Sequence, residues 1–406
     1  MTSQERHEAR YQRRKAKREA KRREYEQKYD DFDRLSSVSA LIGAHWASRK
    51  GVMWKASVAR YDMHYFRNAR RLSKSLRDGK DIRLGFYNFQ IVERGKPRDI
   101  HSLHYSERVI RRSVCTNAMV PILSHNLIYD NGASLKDKGI TFHIKRCETH
   151  LHRFWREQHN NDGYALIIDF RKFFDNIEHE PVYRNYDAHF WDQRLNRLCR
   201  GFVEATGPKG LYIGPEDSQI TAVSFPNHID HLIKDVWGLK YYARYMDDSY
   251  IILRDKEKLE RYRDLLLAEF AKFGIIPNPK KTQIVKLRRG FTFLKTQFFL
   301  TDDGRVIEKP CHASIVRERR KLKAFRRFSV EGIMTIPQID CSYMSWRGSV
   351  KEKDSYKSIC TMDALYYDLF TAKPWVKKKK KRRKGIKHYD SSGNSGRNHR
   401  LQAAAC

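Results

Sequence analysis

Two adjacent aspartates, Asp247 and Asp248, are the residues of this chain that most clearly could hold a metal ion. Apolar, β-favouring runs lie on both sides, at residues 240–243 and 249–253, and predict two short strands joined by a tight acidic turn. Neighbouring carboxylates repel each other, and a divalent cation is the usual compensation. The turn therefore predicts part of a metal site, although an Asp-Asp turn alone is common.

A third carboxylate, Asp169, ends the apolar run Tyr164–Ile168 and is followed by the aromatic pair Phe173 and Phe174. An acid at the carboxyl end of a buried strand can join a metal site when another acidic strand pairs beside it. Taken alone, Asp169 is equally well explained as a helix N-cap. Together with the acidic turn it favours a shared metal site.

The elements that would position these carboxylates follow from the periodicity around them. Upstream of Asp169 the patterns predict, in order, a basic β-hairpin from residues 86–93 and 96–103 with Gly95 in its turn, a helix from Ser106 to Leu127, a polar loop at 129–136, and a helix through Ile144 and Leu151. Downstream of Asp248 they predict an amphipathic helix at 256–274 and helices at 313–328 and around 362–370.

Composition indicates the kind of partner. The 406 residues include 82 Lys and Arg against 48 Asp and Glu, a formal charge of +34, which favours a polyanion. A structural RNA binder is the alternative, and the hydrophobic share of 40% with well-formed apolar strands argues against it. The seven cysteines form no Cys-x-x-Cys pair, which argues against a zinc module. An odd number of thiols without a secretory leader predicts a cytoplasmic location, and no apolar run reaches the roughly 18 residues of a membrane span.

Both ends of the chain are strongly charged. Residues 4–35 predict a solvated helix, either a simple charged extension or an arm that contacts RNA. The run of Lys and Arg at 377–384 opens a tail of Ser, Gly and Asn that predicts disorder. General attraction to RNA is favoured for this tail over a nuclear localisation signal.

Six sequence motifs occur in the order in which reverse transcriptases carry them, so the chain resembles a reverse transcriptase over roughly residues 80 to 370. They are the basic hairpin, Asp169, the Gly-x-x-x-Ser-Gln block at 214–219, Tyr245-Met-Asp-Asp248, Asn278-Pro-Lys-Lys-Thr282 and Gly290-Phe-Thr-Phe-Leu294. The resemblance is to prokaryotic and phage enzymes. It implies an α+β right-hand polymerase with fingers, a palm whose antiparallel sheet bears the catalytic carboxylates, and a helical thumb, plus basic N- and C-terminal extensions. The predicted boundaries are 1–39 for a charged helical extension, 40–163 for N-terminal helices and fingers, 164–303 for the palm, 304–372 for the thumb and 373–406 for a disordered basic tail.

The resemblance also implies roles at the carboxylates. Asp169 and Asp247 would bridge two Mg²⁺ ions about 3.5 to 4 Å apart, with Mn²⁺ as an alternative, and Asp248 would be a weaker ligand or an outer partner. The backbone carbonyl of Phe170 would reach the metal bound to the nucleotide. Lys281 resembles the lysine that protonates the departing pyrophosphate, although an ordinary surface lysine would look the same.

Further residues are implied for binding substrate and nucleic acid. Phe174 would collide with a ribose 2′-hydroxyl and so favour deoxynucleotides. Because neighbouring residues of a strand point to opposite faces, one ring of the Phe173–Phe174 pair would belong to the core while the other faces the site. The other implied substrate-binding residues are Lys96, Arg98, Phe170, Gly214, Gln219 and Tyr245. Arg108 and Arg112, with Arg111 between them, would extend the basic surface toward the template. Phe293 and Leu294 resemble a primer grip, in which Lys295 stands where a glycine is usual.

The residue at position 213 distinguishes between the biological roles that a reverse transcriptase can have. Many reverse transcriptases carry Gln where this chain has Ile213, and the variant resembles enzymes of diversity-generating retroelements, which copy RNA with errors at adenines. A defence polymerase with protein-primed or untemplated synthesis, or a retron or group II intron enzyme, remains an alternative, although an intact mobile intron protein is disfavoured by the short tail after residue 372. The implied partners are an RNA template, a DNA or RNA primer and dNTPs, with a cognate structured RNA and an accessory RNA-binding protein, and no membrane. A catalytically silent RNA-binding scaffold is a further alternative, opposed by the presence of all three aspartates. An RNA-dependent RNA polymerase is another, opposed by Phe174 and by the Met-Asp-Asp turn at 246–248.

Overall fold

The structure, a computed structural model, describes residues 2–93 and 96–371. Within those residues, helices surround three antiparallel sheets, which confirms the predicted α+β class. The tail predicted at 373–406 and Gly95 lie outside the described residues, and so does the side chain of Lys96. No helix in the described part is both long enough and apolar enough to cross a membrane.

The N-terminal region is helical. Its helices are α1 (Ser3–Gln27), α2 (Phe32–Leu35), α3 (Val38–Ser48), α4 (Ala56–Met63) and α5 (Tyr65–Arg77). The side chains of Thr2, Asp31 and Ser37 each accept a hydrogen bond from a backbone N–H in the first turn of α1, α2 and α3, which defines where these helices begin. The helix predicted over 4–35 is confirmed, with a break between α1 and α2.

The predicted basic hairpin is present as β1 (Phe86–Glu93) and β2 (Lys96–Leu103), paired from Phe86 opposite Leu103 to Glu93 opposite Lys96. Three helices follow, α6 (Tyr105–Val114), α7 (Val120–Ser124) and α8 (Ile140–Gln158). The single helix predicted from Ser106 to Leu127 is interrupted by a π-helical turn at Cys115–Met119. Pro121 lies just after this turn and lacks the N–H that a continuous α-helix needs there.

The central sheet consists of β3 (Tyr164–Ile168), β4 (Tyr242–Tyr245), β5 (Asp248–Leu253) and β6 (Gln283–Lys286), in the order β4-β5-β3-β6. The helices between its strands are α9 (Phe173–Asn176), α10 (His179–Asp187), α11 (Gln193–Glu204), α12 (Glu216–Ser224), α13 (Asn227–His231), which continues into a π turn at Leu232–Val236, and α14 (Lys256–Ala271). Alternate residues of β3 point to opposite faces of the sheet. Leu166 and Ile168 therefore pack with the surrounding helices, whereas Ala165 and Ile167 pack in a second core with α8 and the following sheet.

The C-terminal part begins with a small sheet in the order β7 (Phe291–Phe293), β8 (Thr296–Leu300) and β9 (Val306–Pro310). It continues into α15 (His312–Val330), α16 (Ile336–Lys351) and α17 (Tyr356–Phe370). These three helices bury a core of their own, centred on Leu322, Ile339, Tyr343, Met362 and Tyr366. The helices predicted at 313–328 and around 362–370 are confirmed, and α16 between them was not predicted.

Candidate active site

The three aspartates meet at one end of the central sheet. β3 and β5 pair antiparallel with Ile168 opposite Ser249, so Asp169 leaves β3 beside Asp248 at the start of β5. Tyr245 pairs with Asp248 across a two-residue turn formed by Met246 and Asp247. The acidic hairpin predicted from the sequence is therefore present, and strand pairing brings Asp169 to it.

The acidic turn is locally strained. Met246 has φ of +58°, a left-handed conformation that costs a residue with a side chain about 1–2 kcal/mol. In a two-residue hairpin turn this first position usually holds glycine. Strain of this kind gathers at functional sites when the surrounding structure enforces it.

Burial makes the cluster electrostatically unfavourable without a cation. Asp169 is 6% exposed. Burial raises the pKa of Asp247, and the charge of Asp169 raises it further. Burial, with repulsion from Asp247 and Asp169, raises the pKa of Asp248 to about 7. A divalent cation would remove this repulsion and restore the charged forms.

The segment from Asn278 to Lys281 contacts Asp169. Lys281 Nζ lies 2.6 Å from Asp169 Oδ1, and Asn278 Nδ2 donates to Asp169 Oδ2 at 3.0 Å. The backbone N–H of Asn278 donates to the carbonyl of Asp169 at 2.8 Å. Burial alone would lower the pKa of Lys281, but the hydrogen bond and charge of Asp169 raise it. Lys281 is thus a protonated group held at the carboxylates, with 58% of its side chain exposed to solvent.

The donor set fits a metal ion that arrives with its substrate. In the described residues, no three His, Cys, Asp or Glu side chains are arranged so that they would enclose an ion by themselves. Mg²⁺ seldom needs such an enclosure, because one or two carboxylates usually hold it together with waters and substrate phosphates. The hard oxygens of Asp169, Asp247 and Asp248 match that mode of binding.

A buried ion pair stabilises the acidic hairpin of β4 and β5, and the sequence analysis did not predict it. Arg244 and Asp230 are almost completely buried, and Arg244 Nη2 lies 2.6 Å from Asp230 Oδ2. The hydroxyl of Tyr242 donates to the same carboxylate at 2.6 Å. Arg244 Nη1 also donates to the carbonyl of Met246 at 3.3 Å, so this side chain contacts the acidic turn directly.

The outer edge of β4 is also held. The backbone N–H of Arg244 donates to the carbonyl of Asp130 at 3.1 Å, and Asn131 forms a parallel bridge with Arg244. His143, buried in α8, places Nε2 3.1 Å from the carbonyl of Arg244, and its ring packs edge-on against Tyr245. Burial lowers the pKa of His143, which favours the neutral imidazole. The predicted substrate-binding residue Tyr245 therefore lies half-buried against a fixed support.

The aromatic residues after Asp169 divide between core and surface. Phe173 is 5% exposed and stacks near Phe170 and Phe225, while Phe174 is half-buried. The predicted division is present, but the reason given for it was wrong, because the two rings lie on the short helix α9 and not on a strand. The ring of Phe170 packs on Phe270 at 4.6 Å, so only the backbone of Phe170 is available to the site.

The basic hairpin lies close to the carboxylates. Arg98 is exposed on β2, and its positive charge lowers the pKa of Asp247, against the larger effect of burial. The ring of Tyr212 stacks on that of His101, with centroids 3.7 Å apart, and packs edge-on against Phe86, with centroids 4.7 Å apart. The loop before Gly214 is therefore packed beneath the hairpin.

The glycine block lines a cavity shared with two predicted template residues. Gly214 has φ of +131°, a conformation that side chains rarely adopt. Arg108, Arg112 and Gly214 line a cavity of about 480 Å³. Arg112 Nη1 is paired with Glu216 Oε2 at 2.7 Å. Gln219 lies half-buried in α12, where its Oε1 accepts a hydrogen bond from Ser134 at 3.1 Å.

Arg111 is not part of the basic surface, contrary to the sequence prediction. It is 1% exposed, and its guanidinium lies 2.7 Å from both Glu107 and Asp217. A buried guanidinium needs such partners to offset its lost hydration. Arg111 therefore joins α6 to α12 below the glycine block.

The segment that resembles a primer grip forms a tight turn without glycine. Leu294 and Lys295 have φ of +46° and +62°, as in a type I′ hairpin turn. Phe293 is 2% exposed and packs edge-on against Tyr250, so its ring belongs to the core. Leu294 lines a cleft of about 1410 Å³ that runs between the small sheet, α8 and the C-terminal helices. A primer contact here would involve Leu294 and the backbone of Phe293.

Residues 102–298 match the family model described as "Reverse transcriptase (RNA-dependent DNA polymerase)". No curated protein matches the chain. Domains of the matched family use divalent metal ions, in agreement with the carboxylate cluster.

Three solved structures similar to this chain are telomerases of Candida. The structure of apo telomerase from Candida tropicalis truncated from its C-terminal domain is 13% identical, with a TM-score of 0.43, over 55% of this chain and 55% of that one. Telomerase from Candida albicans in complex with a TWJ fragment of telomeric RNA is 12% identical, with a TM-score of 0.44, over 69% and 55%. Apo telomerase from Candida tropicalis is 11% identical, with a TM-score of 0.46, over 71% and 59%. The chain thus spans between 55% and 59% of the length of these telomerases.

The family match and the architecture agree on the fold. The carboxylates lie on an antiparallel sheet within residues 102–298, with helices packed around it and a helical unit after it. This is the α+β right-hand polymerase fold that the sequence predicted.

Proposed function

We propose that this chain, which carries a reverse transcriptase domain at residues 102–298, is an RNA-directed DNA polymerase that extends a DNA or RNA primer on an RNA template with dNTPs. The observation that carries the proposal is the convergence of Asp169, Asp247 and Asp248 at the adjoining ends of β3 and β5. Three acids that repel one another, one of them buried and two half-buried, are an arrangement that favours divalent cations. Nucleotidyl transfer needs such cations to neutralise charge on the reacting phosphate.

In the proposed mechanism, Asp169 and Asp247 would hold two Mg²⁺ ions, with Mn²⁺ as an alternative, and Asp248 would assist. The carbonyl of Phe170 would be a further ligand. Bound Mg²⁺ would lower the pKa of the primer 3′-hydroxyl and stabilise the departing pyrophosphate. Lys281 would donate a proton to that pyrophosphate, since its raised pKa keeps the ammonium protonated and its contact with Asp169 holds it at the site.

The remaining predicted residues would hold the substrates. Lys96 and Arg98 would bind the triphosphate, and the proximity of Arg98 to Asp247 supports this. The residues proposed to contact the nucleotide and its base pair are Gly214, Gln219 and Tyr245, those proposed for the template are Arg108 and Arg112, and those for the primer are Phe293 and Leu294. The cleft of about 1410 Å³ beside Leu294 is the place proposed for the primer.

We expect Phe174→Ala to relax the choice of sugar. The half-buried ring would no longer exclude a 2′-hydroxyl, so the preference for dNTP over NTP should fall by about tenfold or more. Competition between dCTP and CTP on a primed RNA template measures this ratio. Phe173→Leu is the matched control, because Phe173 lies in the core and should leave the ratio unchanged. Equal ratios in wild type and Phe174→Ala would contradict the proposed role.

For biological role we propose error-prone copying of RNA, as in a diversity-generating retroelement. The half-buried Ile213 next to Gly214 supports this, because it supplies no side-chain hydrogen bond beside the nucleotide. Ile213→Gln should reduce misincorporation opposite template adenine by about tenfold, measured by sequencing the products. Unchanged adenine errors would instead favour a defence polymerase or a retron or intron enzyme.

Location and partners are proposed on similar grounds. The described cysteines are free thiols, which supports a reducing, cytoplasmic location. A cognate structured RNA would account for the strongly basic composition, and an accessory RNA-binding protein is proposed as a further partner.

Primer extension tests the proposed function. Purified protein would be incubated with Mg²⁺, a primed RNA template and either dNTPs or NTPs, and the products sequenced. DNA complementary to the RNA is the expected product, and its loss on chelation of the metal is expected too. RNA as the main product, or DNA unrelated to the template, would overturn the proposal.

A further inference from the structure

The N-terminal helix α1 is fixed to the body of the protein at its C-terminal end. Glu26 is fully buried, and its Oε1 lies 2.6 Å from His189 Nδ1. Tyr25 stacks on His125 with ring centroids 3.7 Å apart. The carboxylate of Asp30 accepts hydrogen bonds from the backbone N–H groups of Trp191 and Asp192. These contacts set the direction in which the rest of α1 leaves the protein.

The preceding part of α1 is exposed and almost purely cationic. From Ala9 to Arg23, nine of the residues are Lys or Arg and one is Glu. At about 1.5 Å per residue this stretch is roughly 22 Å long. Arg10, Arg14 and Arg18 form one row along the helix, and Arg13, Lys17 and Lys21 form the next. In the described residues, none of the six cations in these two rows pairs with a carboxylate, and the ion pair of Arg22 with Glu26 lies outside both rows.

Repulsion between these cations destabilises the helix unless an anion binds it. Like charges spaced four residues apart destabilise a helix by about 0.2–0.5 kcal/mol per pair. Burial does not offset this cost, because apart from Tyr11 the side chains from Arg10 to Lys21 that are not charged are Gln12, Ala16 and Ala20. Without an apolar face, the helix also lacks the means to insert into a membrane surface.

We propose that the Arg10–Lys21 face of α1 is a binding site for base-paired RNA outside the catalytic cleft. Two parallel rows of cations suit the phosphates along a duplex, which need charge and not stacking. Single-stranded RNA is usually held by aromatic platforms as well, and Tyr11 is the one exposed aromatic side chain on this face. This RNA would be a partner in addition to the primer and template of the proposed polymerase function. Helix α1 would hold the structured RNA while the cleft holds primer and template.

The test is a binding assay without nucleotides, so that its result does not depend on polymerase activity. The probe is an RNA stem-loop with a stem of about 16 base pairs, a length that proteins reading A-form RNA span. The variant Arg14→Gln/Arg18→Gln/Lys21→Gln removes three charges, and Gln keeps helix propensity. The control Lys256→Gln/Lys258→Gln/Arg261→Gln removes three exposed charges from α14, where acidic residues are interspersed. The basic run at 377–384 is intact in both variants, so its contribution cancels.

The α1 variant should bind the stem-loop about tenfold more weakly at about 0.15 M salt, with a salt dependence reduced by about two to three ions. The α14 control should match wild type, and both variants should extend a short primed template within about twofold of wild type. Arg14→Lys/Arg18→Lys/Lys21→Arg should retain wild-type binding, which separates charge from folding. Equal weakening in the α14 control would overturn the proposal. Equal loss of affinity for single-stranded RNA or for duplex DNA would overturn the assignment to base-paired RNA.

Discussion

Asp247→Asn is expected to abolish templated DNA synthesis while the protein stays folded. Asparagine has the shape of aspartate without its charge, so a metal ligand is weakened and packing is preserved. Metal ions contribute several kcal/mol to phosphoryl transfer, and each 1.4 kcal/mol is a factor of ten, so the rate should fall by about 10³-fold or more. Single-turnover extension of a primed RNA template with dNTPs and Mg²⁺ measures the loss.

The same substitution should raise thermal stability when no metal is present. Burial and the charge of Asp169 raise the pKa of Asp247 in the folded protein above its ordinary 3.8. Ionising this carboxyl is therefore harder in the folded than in the unfolded protein, and the folded state loses stability as the pH rises from 3.8 through the raised pKa. Asparagine removes that cost, and the increase in Tm should vanish below the ordinary pKa. Asp264→Asn, on the exposed face of α14, is the control and should change neither activity nor Tm. More than a tenth of wild-type activity in a folded Asp247→Asn protein would contradict the assignment of this carboxylate.

Both hairpins could be predicted because the information for them is local. Residues 86–93 and 96–103 lie on either side of a glycine-containing turn, and the apolar runs at 240–243 and 249–253 lie on either side of the acidic turn, so each pair of strands is indicated by neighbouring residues. Local patterns could not predict that Asp169 lies beside Asp248, because β3 and β5 are far apart in the sequence. Their pairing was predicted from two acidic strands that needed a common cation. The roles of the individual site residues and the domain boundaries remain predictions.

Buried charges were the main feature that sequence patterns could not predict. Arg111 stands among other arginines and looks like part of a basic surface, yet its partner Asp217 lies 106 positions away. Only tertiary packing decides that this guanidinium is desolvated and paired. His143 is similar, since nothing in its own segment indicates that it contacts the backbone of Arg244.

Helix α16 was missed for a related reason. Its buried residues Ile339, Tyr343 and Val350 give a sparse helical pattern, and Gly348 weakens it further. The capping box of Thr335 with Gln338, and Pro337 in the first turn, are the signals that could have found this helix. Packing against α15 and α17 stabilises it, because the three helices share one core. A helix of this kind depends on its neighbours more than on its own sequence.

Asp230→Ala is expected to destabilise the protein by about 3–5 kcal/mol, because it leaves the buried guanidinium of Arg244 without a counterion. The hydroxyl of Tyr242 and the amide of Asn131 also lose the acceptor that Asp230 provides. Urea unfolding measures the change. Asp235→Ala is the matched control, since that carboxylate is 67% exposed and pairs with His231 at the surface. Its effect should stay within about 0.5 kcal/mol.

A double variant separates the stability of the ion pair from its contribution to the active site. Asp230→Leu/Arg244→Met removes both charges, and apolar pairs often replace buried ion pairs at little cost. Stability should therefore recover in large part, with about 1–3 kcal/mol still lost through the unpaired Tyr242 hydroxyl. Polymerase activity should stay low, because Arg244 no longer donates to the carbonyl of Met246 and the strained turn that carries Asp247 loses its support. Recovery of activity together with stability would mean that the ion pair acts only on folding.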